Sequence, residues 1–237
     1  MRRKLMLTVI LPVHNEEKRL AECVENVAKA CEAETGSYEI VVSEDGSRDK
    51  TFEVAKRIAA QNPRVKVVHS AKRLGRGAAL TKALRNANGR ISVYMDADLS
   101  SDLRHFHKLV SRIRDGAAIA TGSRLMPGSS AKRSKRRDIA SKGFNMLVRL
   151  ILGSRLADHQ CGFKAFDTEK IQPLLDETED RHWFWDTEML VRAQRKGMRV
   201  DEIPIRWAEK GRGSTVDLRT DVAYMASKIL YLKGRLG

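Results

Sequence analysis

The sequence of 237 residues predicts an α/β protein with a doubly wound, mainly parallel sheet. Short β-like runs alternate with longer helical patterns through the first half of the chain, as in parallel strands joined by crossover helices. Polar motifs follow these runs where the runs end, and ligands bind at the carboxyl ends of such strands. An apolar content of 42% is enough for a core, and the length fits one domain.

The elements follow in chain order. Strands are predicted at 7–13, 38–43, 65–69, 91–95 and 117–122, with helices at 16–33, 49–61 and 77–88 between the first four. The second half is less regular and contains two amphipathic helices. Their apolar faces are Phe144, Leu147, Val148 and Ile151 in 141–152, and Leu218, Val222, Met225, Ile229 and Leu232 in 217–232. Most such faces cover a core, but basic flanks leave a membrane surface as the alternative.

The charge balance indicates a polyanionic partner. Forty-five Lys and Arg against 30 Asp and Glu give a net charge of +15, and segment 131–137 alone carries five bases. Nucleic acid, anionic lipid head groups and phosphorylated substrates all fit that charge. Because aromatic residues make up only 5% and no nucleic-acid-binding motif is evident, a basic nucleic-acid-binding module is kept only as the non-enzyme alternative.

Targeting signals and cysteines bear on the compartment. The apolar runs are too short for a membrane span, and the basic start of the chain lacks the apolar core of a secretory signal. Cys23, Cys31 and Cys161 are odd in number and follow no zinc spacing, which predicts free thiols in a reducing compartment. We therefore expect a cytoplasmic protein.

The acidic pair in the sequence YMDADLS is the most informative motif. Asp96 and Asp98 follow an apolar run, and an extended backbone would place both side chains on one side. Like charges so close are unfavourable unless a cation accompanies them, and oxygen ligands suit Mg²⁺ or Mn²⁺ shared with a substrate phosphate. The alternative is a solvated acidic turn.

Three further motifs also lie at the ends of predicted strands or the start of a helix. PVHNEE follows the first strand and SEDGSRDKT the second, where Glu16 could accept hydrogen bonds from ribose and Asp45 from a base. The second motif could equally be only a turn with a helix cap. In RLGRG, glycines permit close backbone approach, and the helix N-terminus favours phosphate.

In this order and spacing, the motifs PVHNEE, SEDGSRDKT, RLGRGAAL, YMDADLSS and TGSRLMPGS resemble the family 2 glycosyltransferases of GT-A type. The segments DHQCGFKAF (158–166) and WFWDTE (183–188) resemble the branch that contains dolichyl-phosphate glucose and mannose synthases. This chain differs at His14, where Tyr is common, and at Glu44, where Asp is common. Ser100 stands where mannose synthases often carry Gln.

The resemblance implies roles residue by residue, in a nucleotide-sugar half at 1–125 and an acceptor half at 126–237. The nucleotide pocket would comprise Pro12, His14, Glu16, Asp45, Arg76, Asp96 and Ala97. Asp96 and Asp98 would hold the divalent cation, Mg²⁺ or Mn²⁺. The acceptor phosphate would meet Arg124, Arg137, Ser141 and Lys210, and the catalytic set would be Asp98, Arg124, Arg137 and Asp186.

The implied reaction is the inverting transfer of a hexose from UDP-glucose or GDP-mannose to dolichyl or polyprenyl phosphate, giving a β-linked lipid-phosphate sugar. A phosphate acceptor needs no protein base, so Asp186 and Glu188 could be structural. The alternative is a glycan or glycolipid hydroxyl acceptor, with one of these carboxylates as the base. We expect peripheral binding at the cytoplasmic face of a membrane, alone or with a membrane-anchoring protein partner, and no nucleic-acid partner.

Overall fold

The computed structural model describes residues 5–209 and 218–236. A seven-stranded sheet forms the centre, with the strand order β3-β2-β1-β4-β7-β5-β8. Its strands are β1 (Leu5–Val13), β2 (Tyr38–Asp45), β3 (Val65–Ser70), β4 (Gly89–Met95), β5 (Ile119–Ser123), β7 (Phe163–Asp167) and β8 (Val200–Pro204). A separate parallel ribbon pairs β6 (Ser130–Lys132) with β9 (Arg206–Ala208).

The helices are α1 (Leu20–Glu34), α2 (Thr51–Gln61), α3 (Arg76–Arg85), α4 (Phe106–Arg114), α5 (Lys135–Leu152), α6 (Gln172–Glu177), α7 (Trp185–Arg195) and α8 (Leu218–Arg235). A short 3₁₀ turn at Leu103–His105 precedes α4. Helices α1, α2 and α4 pack on one face of the sheet, and α3, α6 and α7 on the other. The sheet is therefore doubly wound, as the sequence predicts.

The strand order of the sheet changes direction between β1 and β4. All pairings in the sheet are parallel except those of β7, which runs antiparallel to β4 and β5. The chain moves from β1 outward to β2 and β3, then returns to place β4 on the other side of β1. The carboxyl ends of β1 and β4 therefore flank the switch point, where this class of sheet binds ligands.

Alternation along β1 shows how the sequence builds two cores. Leu7, Val9, Leu11 and Val13 point to the α1 face, whereas Ile10 points to the α3 face. Successive side chains of a strand face opposite sides, so a strand buried on both sides reads as a continuous apolar run. At roughly 25 cal/mol per Å² of apolar area, this two-sided burial is the main stabilising term.

A third, smaller core lies between α5 and α8. Val148 and Leu152 of α5 meet Ile229 and Leu232 of α8. This confirms much of the predicted core-facing role of both helices. Leu147 was expected on the inner face and is instead 41% exposed. The side chains of Leu218 and Val222 lie outside the described residues.

The prediction from the sequence was wrong about the basic segment and did not include β7. We expected residues 131–137 to form a polar segment, but 130–132 form a strand and α5 begins at Lys135. The strand β7 has a charged residue, Lys164, as the second of its five residues, which interrupts its apolar run. No helix within 5–209 or 218–236 has the length and apolar character to span a bilayer. All three cysteines are buried and free, as predicted, and burial raises the pKa of each to about 12.

We predict that His159 makes stability depend on pH. Its imidazole is fully buried between Asn145 and Ser154, and burial lowers its pKa from 6.5 to about 4. Between these values the unfolded chain binds the extra proton, so stability is complete above about pH 6.5 and falls by about 3 kcal/mol towards pH 4. Urea unfolding from pH 7 to 4.5 should show this slope, and His159→Gln should flatten it.

His107 is the matched control because its ring is 75% exposed. His107→Gln should leave the slope unchanged. An equal slope in His159→Gln and the unaltered chain would contradict the prediction.

Candidate functional site

The predicted polar motifs meet at one edge of the sheet. His14 follows β1, Asp45 ends β2, Asp96 follows β4 and Arg124 follows β5. These four strands run in the same direction, so the residues gather at the carboxyl edge. The topology therefore brings these residues to one edge of the sheet, and their roles in a site stay a prediction.

The acidic pair lies on a tight turn, not on an extended backbone. The N–H of Leu99 donates to the carbonyl of Asp96 at 3.1 Å, and Leu99 has a positive φ of 51°. The geometric argument from strand alternation was therefore wrong, because β4 ends at Met95. Asp98 is held by Ser100, whose N–H and hydroxyl donate to it at 2.9 and 2.7 Å. Burial, with the nearby charge of Asp96, raises the pKa of Asp98.

A third carboxylate joins this pair. Burial raises the pKa of Glu16, as do the charges of Asp98 and Asp96, while Arg19 opposes the shift. Among the residues described, no group of three or more His, Cys, Asp or Glu side chains has the geometry to hold a metal alone. The donor set still fits a hard divalent cation, because clustered carboxylates supply oxygen ligands and carry repulsion that a cation relieves. Asp96 and Asp98 would hold such an ion.

The Asp96 side chain is fixed from two directions. Arg76, at the start of α3, donates from Nη1 to Asp96 Oδ1 at 2.6 Å. On the other side lies Gly162, where an added Cβ would meet the three atoms of the Asp96 carboxyl group. The Gly162 carbonyl also accepts the N–H of Asp96 at 3.1 Å. A residue with a side chain at 162 would displace the carboxylate.

Arg76 lies above an aromatic floor. Its guanidinium lies 5.4 Å from the ring of Tyr94 and 5.7 Å from that of Trp183. Burial would lower the pKa of Arg76, but the charge of Asp96 outweighs it and the pKa is raised. The arginine therefore stays charged beside the acidic turn.

Beneath this floor lies a buried ion pair. Lys164, with only 1% of its side chain exposed, contacts Asp186 Oδ1 at 2.9 Å and donates to the carbonyls of His159 and Cys161 at 3.2 and 2.5 Å. The hydroxyl of Tyr94 also donates to Asp186. Asp186 is thus committed to the fold. A buried pair of this kind stays stable only when all its hydrogen bonds are made.

Glu188 is also structural. It is buried, pairs with Arg192 at 2.8 Å, and accepts the N–H groups of Glu179 and Asp180 at 3.1 and 2.8 Å. These contacts organise the segment before α7. Neither predicted candidate base is a free carboxylate.

On the nucleotide side, Asp45 ties two loops together. Its oxygens accept the N–H groups of Leu74 and Gly75 at 2.6 and 3.0 Å, and its carbonyl meets His14 Nδ1 at 2.9 Å. The glycines of RLGRG lie where a Cβ would clash with other residues of the protein. A Cβ at Gly77 would lie 2.6 Å from Cβ of Trp185, and one at Gly75 would collide with His182. The structure thus gives these glycines a packing reason, and close approach to a ligand stays a prediction.

On the acceptor side, the predicted arginines have acidic partners. Arg124 forms a two-pronged pair with the fully buried Asp158, at 2.7 and 2.9 Å. Burial would raise the pKa of Asp158, but the charge of Arg124 outweighs it and the pKa is lowered. Arg137 pairs with Glu209 at the end of the ribbon. Ser141 lies one turn along α5 from Arg137. Lys210 lies outside the described residues.

A cavity of about 620 Å³ opens between the acidic turn, α1 and the β6–β9 ribbon. Its walls include Ala97 and Asp98 from the turn, Cys23 from α1 and Trp207 from β9. Arg19, Lys132 and Arg206 are among its lining residues, and so are the acidic Glu22 and Asp102. Asp102 pairs with Arg104, whereas neither Lys132 nor Arg206 forms an ion pair with any residue in 5–209 or 218–236. Lys132 and Arg206 are therefore the cations that an anion beside Asp98 could meet.

A family model for glycosyl transferase family 2 matches residues 8–175, well over half of the chain. The chain belongs to this family. The family-level prediction from the motifs is thereby confirmed, and so is the GT-A type of fold.

Several curated relatives extend this similarity. A glycosyltransferase of Haloferax volcanii, AglD, is 48% identical over 94% of this chain and 36% of its own length. The dolichyl-phosphate beta-glucosyltransferase ALG5C of Trichomonas vaginalis is 32% identical over 86% of this chain and 64% of its own. The Saccharomyces cerevisiae dolichyl-phosphate beta-glucosyltransferase is 30% identical over 97% and 75%. The chain thus spans about a third to three quarters of these relatives.

Solved structures agree on the fold. Glucosyl-3-phosphoglycerate synthase from Mycobacterium tuberculosis in complex with UDP matches with a TM-score of 0.70 and 20% identity, over 98% of this chain and 81% of that one. The same synthase with Mn²⁺, UDP-glucose and phosphoglyceric acid gives 0.70 and 18%, over 98% and 80%. At this identity the similarity establishes the fold alone.

Sequence reasoning missed several residues that shape the site. Lys164 lies in a segment that resembles the family, but it was given no role, and Gly162 was not expected to touch Asp96. A glycine beside a cysteine in a polar loop was the available signal for close packing. Lys132 lies within the recognised basic run, whereas Arg206 had no signal at all. Its place follows only from the pairing of β9 with β6.

We predict that Gly162→Ala weakens binding of Mn²⁺ in the presence of UDP at least tenfold, because the new methyl group displaces the Asp96 carboxylate. Titration calorimetry measures the loss. Gly36→Ala is the matched control, since a Cβ at Gly36 meets nothing within 4 Å. Unchanged Mn²⁺ affinity in folded Gly162→Ala would contradict this reading of the site.

Proposed function

We propose that this chain transfers a hexose from a nucleotide sugar to a polyprenyl phosphate such as dolichyl phosphate. The observation that carries the proposal is the adjacency of the acidic turn to a cavity that Lys132 and Arg206 help to line. Glu16, Asp96 and Asp98 lie at the switch point, and the cavity opens directly beside Asp98. The carboxylates suit a cation on a donor diphosphate, and Lys132 with Arg206 suits an anionic acceptor, although Glu22 and Asp102 also line the cavity.

On the donor side, the loops after β1 and β2 would receive the nucleoside, with Pro12, His14 and Asp45 at the base and Glu16 near the ribose. Asp96, Ala97 and Asp98 would face the diphosphate. When bound, a divalent cation on the two aspartates neutralises charge developing on the leaving diphosphate. Arg76 supplies a second, permanent positive charge at the same carboxylate.

On the acceptor side, Lys132, Arg206 and Arg137 would hold the phosphate of the lipid, with Ser141 and Lys210 as further predicted contacts. Arg124 is held by Asp158 at the carboxyl end of β5, near the ring of Trp207 at 5.7 Å. A phosphate oxygen is already ionised at neutral pH, so the protein has only to align two anions. The engagement of Asp186 by Lys164 supports a reaction without a protein base.

The donor is proposed to be UDP-glucose rather than GDP-mannose. Support comes from relatives named as dolichyl-phosphate beta-glucosyltransferases and from the UDP complexes of the structural neighbour. The neighbour's Mn²⁺ complexes support a divalent cation, and Mg²⁺ is the alternative. Attack by the phosphate opposite the leaving group would invert the anomeric centre and give a β-linked product.

The proposed lipid acceptor places α5 at a membrane surface on the cytoplasmic side. Its outward stripe exposes Ile139 by 71%, Met146 by 56% and Leu150 by 74%. Lys142 and Arg149 flank this stripe. Apolar and basic side chains together suit the surface of an anionic bilayer. A membrane-anchoring partner protein could occupy the same stripe.

The direct test is a donor and acceptor panel. We expect labelled glucose to pass from UDP-glucose to polyprenyl phosphate in the presence of Mn²⁺ or Mg²⁺, with little transfer from GDP-mannose. Asp98→Asn should lower turnover at least about 100-fold, because it removes a charged metal ligand. Asp176→Asn, in an exposed pair with Arg85, is the control of the same chemistry.

Transfer to a polyprenol or glycan hydroxyl, with none to the phosphate, would contradict the acceptor assignment. Failure of every donor with every acceptor would contradict the reaction class.

Membrane docking is tested by flotation with liposomes. The unaltered chain should bind vesicles containing anionic lipid at low salt and leave them at high salt. Ile139→Asn with Leu150→Asn should weaken binding at least tenfold, because each buried apolar side chain contributes roughly 1.5–3 kcal/mol. Lys29→Gln, at an exposed position of α1, should have little effect. Equal binding to neutral vesicles would count against the anionic surface.

A further inference from the structure

A pair formed by the buried Glu44 and the partly exposed His69 has no role so far. Glu44 on β2 lies opposite His69 on β3 in the register of the sheet. His69 Nδ1 makes a hydrogen bond with Glu44 Oε2, and the Glu44 side chain has no exposed surface. A fully buried carboxylate is costly unless hydrogen bonds satisfy it. Its position therefore needs a reason.

The second oxygen of Glu44 holds the loop that follows β2. Glu44 Oε1 accepts the N–H of Ser47 at 2.5 Å, and Ser47 Oγ accepts the N–H of Asn15 at 3.0 Å. Asn15 Oδ1 in turn accepts the N–H of Arg48 at 2.8 Å. The carboxylate thus joins the loop after β2 to the loop after β1. These two loops carry Asp45 and His14.

The ring of His69 has a second contact, with an aromatic side chain. Its ring stacks on Phe52 of α2, with the ring centroids 3.8 Å apart and the planes at 13°. The carbonyl of His69 accepts Lys82 Nζ at 2.9 Å. Burial would raise the pKa of Glu44, but hydrogen bonds from Ser47 and His69 outweigh it and the pKa is lowered. The carboxylate remains charged and ordered between the strand and the loop.

We infer that His69, acting through Glu44, is a positioning residue that sets the affinity for the nucleoside of the donor without taking part in transfer. The inference rests on the proposed function, because it takes the loops after β1 and β2 as the nucleoside site. A glutamate is needed at 44 because one carboxylate must reach both Ser47 and His69. An aspartate is one methylene shorter and could keep only one of these contacts.

The experiment measures UDP and GDP binding in the presence of Mn²⁺ by calorimetry, together with kcat and the donor KM. His69→Leu should weaken binding of the nucleotide that the unaltered chain prefers by about tenfold. That is the change expected for a lost hydrogen bond to a charged group. The kcat at saturating donor should stay within about twofold. His69→Asn should bind nearly normally, because its amide nitrogen can occupy the Nδ1 position.

His107→Gln is the matched control, since His107 pairs with the buried Glu34 on α1, away from both loops. It should leave both nucleotide affinity and kcat unchanged. If His69→Leu does not fold, Glu44→Asp should show the same tenfold weakening. A lowered kcat with unchanged donor KM, or nucleotide binding unaffected by His69→Leu, would overturn only this inference. No nucleotide binding by the unaltered chain would overturn the proposed function and this inference with it.

Discussion

The site depends on compensating a cluster of negative charge at the switch point between β1 and β4. Burial and the charge of Asp96 raise the pKa of Asp98, and burial with the charges of Asp98 and Asp96 raises the pKa of Glu16. Arg76 offsets part of that negative charge through its ion pair with Asp96. The remaining charge makes the turn a place where a divalent cation lowers the free energy. The fold therefore keeps uncompensated negative charge at the place where a divalent cation would bind.

A buried scaffold keeps that arrangement in place. Lys164 joins Asp186 to the carbonyls of His159 and Cys161, and the chain then reaches Gly162 against Asp96. The same region buries the pair of Arg124 and Asp158. Removing one partner of such a pair is costly because an unpaired buried charge remains. Rigid ion pairs under the site, rather than mobile side chains in it, thus define the geometry of the edge.

Much of this could be predicted from the sequence, and the failures have physical causes. The strands β1, β2 and β4 were predictable because burial on both faces gives continuous apolar runs. The turn at 96–99 was not, because Leu99 has a positive φ, a conformation that a leucine in the sequence does not indicate. The strand β7 was not predicted because a lysine normally indicates a surface position, whereas Lys164 is buried by partners distant in sequence. The residues assigned to the donor were predicted from the motifs. The position of Arg206 could be known only from the pairing of β9 with β6.

The contacts of Glu44 and Asp186 show what each carboxylate does in this fold. Glu44 stands where the family commonly carries aspartate, and the longer side chain reaches His69 while still holding Ser47. The loops after β1 and β2 are thereby tied to β3 as well. By contrast, Asp186 is family-like in sequence yet is held by Lys164 and Tyr94. A carboxylate that already accepts two buried donors is engaged in the fold, and removing either partner would leave a buried charge unpaired. The engagement of Asp186 therefore supports the proposed acceptor, a phosphate that arrives already ionised.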